Sequence, residues 1–453
     1  MPARDLTRGS IIKQIFLMGL PTAIGFSFQM FYDIIDIFWI GKISSQAIAG
    51  VGIFTTIFWV VEALNEIIGV SSISLISQSF GKKDFEKTNM AIEQTITFKF
   101  LVALIGSLIL IVFLKPLMSL FAGTQIVFYG LEYGYLRIFF LPIMFSSFSV
   151  NTALRSIGDS KTPMLLMILS SVVNIILDPI LMFDKLPIVN IRGFNMGVKG
   201  AALATIIAQS LAFLIGFYVL FSGRENIKPS FKRLFRLIFE LDKKLILIGL
   251  PNGFEVFMRQ LSAVVTLYFV AIYGEANITA YTIGGRIFGF VFMPLWGFLM
   301  GGSAIIGQNL GAEKISRAEK IAKISGWFSV VFTAIFLIFI LIYAPSLISI
   351  FSKEENIIES GALFLRYSTL GLLFLAYAIG LSIVFPGSGY NLPYLFMSLG
   401  SRWFVQIPLM YIFAIVFRLP VIWLWLSFAF GDISEFIIAI YFYKKGGWKY
   451  KRV

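Results

Sequence analysis

Residues 30–41 read MFYDIIDIFWIG, and Asp33 and Asp36 stand three apart in a run that is otherwise almost wholly apolar. A spacing of three in a helix puts both carboxylates on nearly one face. Near the centre of a bilayer a carboxylate costs roughly 2.5–3.5 kcal/mol on insertion scales, so it persists where it lines water, pairs or binds an ion. Asn174 and Asp178, in NIILDPILMF, lie four apart and so also share a face. Glu62 and Glu66, with Asn65, are one turn apart; they either face a cleft and attract cations or pair with a basic side chain. Glu255 and Arg259 are four apart and can neutralise one another, and Arg286 can partner any of these acids. Asp432 and Glu435 read as interfacial. The chain has no Cys and no His. That excludes disulfides, thiolate chemistry, Cys/His metal sites and imidazole acid-base work, so any proton moved through the protein is carried by carboxylates.

The elements that must hold these groups are membrane spans. Of the 453 residues 58% are hydrophobic and 13% charged, and mean hydropathy is +0.88. Apolar runs of about 20 residues, enough to cross ~30 Å of hydrocarbon, recur from end to end. Twelve spans are expected near 11–40, 47–78, 94–114, 127–156, 163–183, 197–221, 244–273, 277–308, 324–345, 357–385, 391–417 and 420–443. The formal charge of +13 sits in short breaks between apolar runs, so it reads as topology and nucleic acid is excluded as a partner. Lys and Arg concentrate in the N-terminal tail, the even-to-odd loops and the C-terminal KKGGWKYKR, which places both termini in the cytoplasm. The N-terminus shows no cleavable signal pattern.

The basic segment 223–243 reads as a linker on the anionic inner leaflet, between lobes at 1–222 and 244–443, with a basic tail at 444–453. A shift of 230 residues tests that division. Gly19-Leu20-Pro21 falls on Gly249-Leu250-Pro251, Gln78 on Gln308, Gly81 on Gly311 and Pro163 on Pro393. The fold class expected is therefore all-α integral membrane: twelve transmembrane helices in two six-helix lobes related by a parallel pseudo-two-fold repeat. Pro21 and Pro251 are expected to bend their spans.

YxxxDxFWIG in the first span, SQSFGKKD after the second, LRSIGDSKTPM between the fourth and fifth, and NIILDPILMF in the fifth resemble, in that order, the multidrug and toxic compound extrusion (MATE) transporters. The resemblance covers the whole chain and is nearest the DinF-type prokaryotic branch. It implies two lobes around a cleft, export of organic and often cationic compounds, and coupling to H+, Na+ or both. It also implies that Asp36 sits beside Asn174 and Asp178 as the ion-coupling site, which suits either a shared proton or a Na+ shell of hard oxygens. Tyr32, Gln29 and Asn151 correspond to polar family positions near that cavity, and Thr205 to a hydroxyl from the sixth span. Asp33 departs from the family's usual asparagine and either enlarges the acidic site or takes an interhelical hydrogen bond.

These readings lead to a monomeric antiporter in the inner membrane, expelling an amphipathic, cationic small molecule against H+ or Na+ and using no cofactor. The rival is a lipid-linked oligosaccharide or peptidoglycan-precursor flippase, whose cavity needs cations for a pyrophosphate. No catalytic motif supports an enzyme.

Overall fold

The computed structural model describes residues 3–185, 192–224 and 226–453. The described chain is helical: α1 (Ile11–Ile43), α2 (Ser45–Gly81), α3 (Phe85–Ser119), α4 (Thr124–Phe139), α5 (Leu141–Ser156), α6 (Lys161–Met182) and α7 (Val198–Phe221) make the first half. The second half holds α8 (Phe239–Ala271), α9 (Glu275–Gly311), α10 (Ile315–Ser349), α11 (Glu355–Ser368), α12 (Leu372–Leu381), α13 (Val384–Ser388), α14 (Leu392–Ser398), α15 (Ile407–Tyr411), α16 (Val421–Lys445) and α17 (Gly447–Tyr450). Among the described residues ten segments are long and apolar enough to cross a membrane, or twelve when each of two bent pairs is one crossing. The protein is an all-α, multi-pass membrane protein of twelve spans in two six-helix lobes.

Four spans differ from straight helices. The fourth breaks by 55° into α4 and α5, where Phe140 leaves helical geometry and Pro142 starts the new helix. The second bends by 44° between residues 59 and 61. The tenth is assembled from α11, α12 and α13, and the eleventh from α14 and α15 with π-helical turns at 399–406 and 412–416. By contrast α1 and α8 run unbroken through Pro21 and Pro251, where bends were expected. Proline frees the carbonyl four residues earlier. Here that carbonyl, on Leu17, accepts the Ser160 hydroxyl at 2.7 Å, and Ile248 O, next to the one freed by Pro251, accepts Asn391 Nδ2 at 3.0 Å. Re-satisfied backbone of this kind lets a proline stay inside a span.

The repeat is visible in the turns. Lys83 and Glu313, 230 residues apart, both take left-handed backbone angles, with φ of 63° and 60°, directly after α2 and α9. Segment 223–243 is tied to α3: Lys228 N, Ser230 N and Ile238 N donate to Asn89, Glu93 and Gln94 side chains, and Thr97 Oγ1 donates to Leu234 O. Helix α8 already starts at Phe239, inside that segment.

The lobes meet where α1 packs on α9 and α2 on α8. Close approach needs small residues there. A side chain at Gly301 would strike Met18, one at Gly297 would strike Thr22 and Phe26, and one at Gly249 would strike Ile67. At the end that carries the termini the seam is symmetric. Gln78 Nε2 donates to Gly387 O and Ser388 O at 3.1 and 3.0 Å, and Gln308 Nε2 donates to Ser156 O at 3.0 Å. Gly81 packs on the Gln308 backbone and Gly311 on that of Gln78. Leu6, buried in the seam, donates its N–H to Gln308 Oε1 at 2.9 Å.

Candidate functional site

Helix α1 uses two faces. Phe26, Met30, Asp33 and Ile37 follow one another at helical spacing on the face turned towards α9, where Phe26 and Met30 meet Gly297 and Gly289. One turn beyond Met30, Asp33 is exposed, so it stands where the lobes part. Tyr32, Asp36 and Ile40 lie on the other face and are buried within the first lobe.

Asp36 is 7% exposed. Its Oδ2 accepts a long hydrogen bond from Tyr133 Oη on α4 at 3.5 Å, while Oδ1 has no partner. Asp178, fully buried on α6, accepts from the Asn174 amide at 3.3 Å, and that amide is 3.2 Å from Thr205 Oγ1 on α7. Asp36 and Asp178 lie within electrostatic reach of each other. The structure therefore places Asp36, Asp178, Asn174 and Thr205 around one buried polar site built by α1, α4, α6 and α7. Two carboxylates so disposed favour one bound positive charge over none, since burial penalises two unneutralised anions. Their oxygens, with those of Asn174 and Thr205, are hard donors of the type Na+ takes. Among the described residues no three acidic groups gather as a metal cluster.

Gln29 and Asn151 line a cavity beside this site together with Tyr32, and Asn151 Oδ1 is unpartnered. The MatE family model matches residues 21–180 and again 251–412, two segments beginning 230 residues apart. The chain belongs to the MatE family. It is 25% identical over 99% of its length to the probable multidrug resistance protein YoeA of Bacillus subtilis, covering 96% of that protein. Among solved structures it resembles a MOP superfamily transporter from Pyrococcus furiosus, with a TM-score of 0.90, 22% identity and 97% of each chain covered. It also resembles a multidrug resistance MATE family transporter of the MOP superfamily in an outward-facing conformation, at 0.88, 23% and 98% of each chain.

In this MatE chain the remaining acids fall outside the Asp36 site. Glu62 accepts from Asn65 Nδ2 at 2.8 Å, and Glu66 lies within electrostatic reach of Lys99, Arg259 and Arg155. Glu255 pairs with Arg259 at 3.4 Å. Arg286 is exposed and forms no ion pair among the described residues. Asp432 and Glu435, expected at an interface, are instead inside the second lobe, because they sit mid-way along α16. Asp432 is 3.8 Å from Arg402 on the π-helical turn, and Glu435 accepts from Ser401 Oγ at 3.0 Å.

Sequence reasoning missed Arg137, Tyr133, Lys99 and Arg155 as parts of these sites. Arg137 lies over the Phe58 and Tyr133 rings at 5.9 and 5.7 Å and within electrostatic reach of Tyr32, Asp33 and Asp36. It is the fixed cation of the MatE acidic site. The signal available was a lone cation inside each apolar run, which hydropathy averaging conceals.

Proposed function

We propose that this protein is a multidrug efflux transporter that expels an amphipathic organic compound bearing a positive charge while H+ or Na+ enters. The observation that carries the reading is the buried Asp36–Asp178 pair next to a cleft whose lobes are clasped at the end with the termini. Reading that end as cytoplasmic follows from the Lys and Arg distribution. The clasped arrangement is then the one open outward, where a coupling ion reaches the acids through the Asp33 side.

Binding the ion at Asp36 and Asp178 removes their mutual repulsion and frees Tyr133 and Asn174 to rearrange. The stabilisation is realised only when the ion is bound, so it biases the lobes between two arrangements, as any coupling ligand must. A membrane potential supplies about 2.3 kcal/mol per charge per 100 mV, roughly 50-fold accumulation per charge moved. The names of the relatives support a drug-like substrate, and the twelve spans, each lobe holding its own polar cluster, support alternating access by rocking of the lobes.

Dye efflux from proteoliposomes tests the reading, with a proton gradient and a Na+ gradient imposed separately. Efflux driven by one of them is expected. Dye loss that ignores both gradients would overturn it.

A further inference from the structure

The cavity of the first lobe has two unlike ends. It lies between α1, α5, α6 and α7, with Tyr32 at one end and Arg155 at the other, and Phe148 and Asn151 between. Its wall on α5 runs from Met144 to Arg155, about 16 Å at 1.5 Å per residue. Behind the Tyr32 end stand Asp33 and Asp36.

The other end is cationic. Arg155 is 5% exposed, and its one hydrogen bond is to Thr152 Oγ1 in its own helix at 3.2 Å. Among the described residues no carboxylate comes within 4.0 Å of it. Lys99 is 1% exposed, and its ammonium meets no hydrogen-bond acceptor among the described residues; it stands 5.9 Å from the ring centre of Phe148, on the cavity wall. Glu66 is the neighbouring carboxylate, and it is shared electrostatically among Lys99, Arg155 and Arg259. One acid for three cations leaves positive charge uncompensated in a place where an unpaired charge is costly. Asn151 Oδ1, one turn from Arg155 on the same helix, is also unpartnered.

We propose that the Arg155 end of this cavity binds an anionic group of the exported compound, so that the chain takes zwitterionic amphiphiles with a carboxylate in preference to simple organic cations. This rests on the export reading. The guanidinium offers a planar fork that matches a carboxylate, with Lys99 adding charge from behind Phe148, while the acids at the Tyr32 end face the substrate's positive centre. Specificity then comes from two opposite charges held apart by an apolar stretch, and a cation lacking the carboxylate leaves Arg155 buried and unpaired.

The test compares rhodamine 110, which carries a free carboxylate, with its methyl ester rhodamine 123, which shares the xanthene cation. Affinity for each dye is read by fluorescence anisotropy on the purified full chain. The acid is expected to bind at least roughly tenfold more tightly than the ester, in line with a charge-assisted hydrogen bond. Arg155→Gln brings the affinity ratio close to one. So does Asn151→Asp, which sets a carboxylate four residues before Arg155 and neutralises it without removing it, so either variant decides if the other fails to fold. Equal affinities in the wild type, or a ratio unchanged by the substitutions, overturn the proposal. Acid preference in a protein that moves neither dye would remove the export reading and leave this site; transport of both dyes without preference would do the reverse.

Discussion

At the scale of single residues, the acidic site is a balance between Asp33, Asp36 and Asp178 on one side and Arg137 on the other. Removing the cation alone leaves buried carboxylates without their counter-charge. Arg137→Gln is therefore expected to destabilise the detergent-purified protein by about 3–5 kcal/mol, the usual cost of breaking a buried ionic arrangement. Adding Asp36→Asn should recover a large part of that loss in a double-mutant cycle read by thermal unfolding; strictly additive losses would show that the two groups do not interact. Asp36, Asn174 and Asp178 were legible because their positions match family motifs. Arg137 was not, since it lies one turn before the Phe140 break, and its neighbours Asp33 and Asp36 are about a hundred residues away in the chain. Their proximity is a product of packing, which no local pattern encodes.

At the scale of elements, the spans were legible from hydropathy because nearly every crossing is continuous and apolar, and their irregularities were not. The α4–α5 break had a signal in Pro142, and the π-helical turns of the eleventh span had none that periodicity could separate from an ordinary helix. The unbroken course of α1 depends on Ser160, which is not part of α1 and satisfies the Leu17 carbonyl that Pro21 leaves free. Ser160→Ala removes that bond and leaves a buried acceptor unpaired. The expected cost is about 1–3 kcal/mol, seen as a lowered unfolding temperature. Unchanged stability would mean that the carbonyl finds another donor.

At the scale of the whole molecule, the repeat read from the sequence becomes a symmetric clasp. Gln78 and Gln308 each reach from the end of a second span in their lobe to backbone carbonyls in the opposite lobe. The GLP, Gln and Gly repeats were visible as matching letters, whereas the sequence could not show that they close one end of the cleft. Because the chain has no cysteine, a single Ser156→Cys reports on that end without background. Ser156 is fully buried in the seam, so alkylation should be slow in the clasped protein. Adding Gln308→Ala removes two bonds across the seam, to Ser156 O and from Leu6 N, about 1–3 kcal/mol together. Alkylation is then expected to speed by roughly fivefold or more. An unchanged rate would show that the apolar packing of Met18, Leu295 and Phe298 holds the end shut by itself.

The central claim is that ion binding at Asp36 drives export, and the most direct measurement is gradient-driven efflux of a cationic dye from proteoliposomes containing either the wild type or Asp36→Asn. Efflux that follows an imposed H+ or Na+ gradient in the wild type, and falls to the protein-free rate in a folded Asp36→Asn protein, is the result expected. Wild-type efflux by Asp36→Asn under the same gradient would contradict the account.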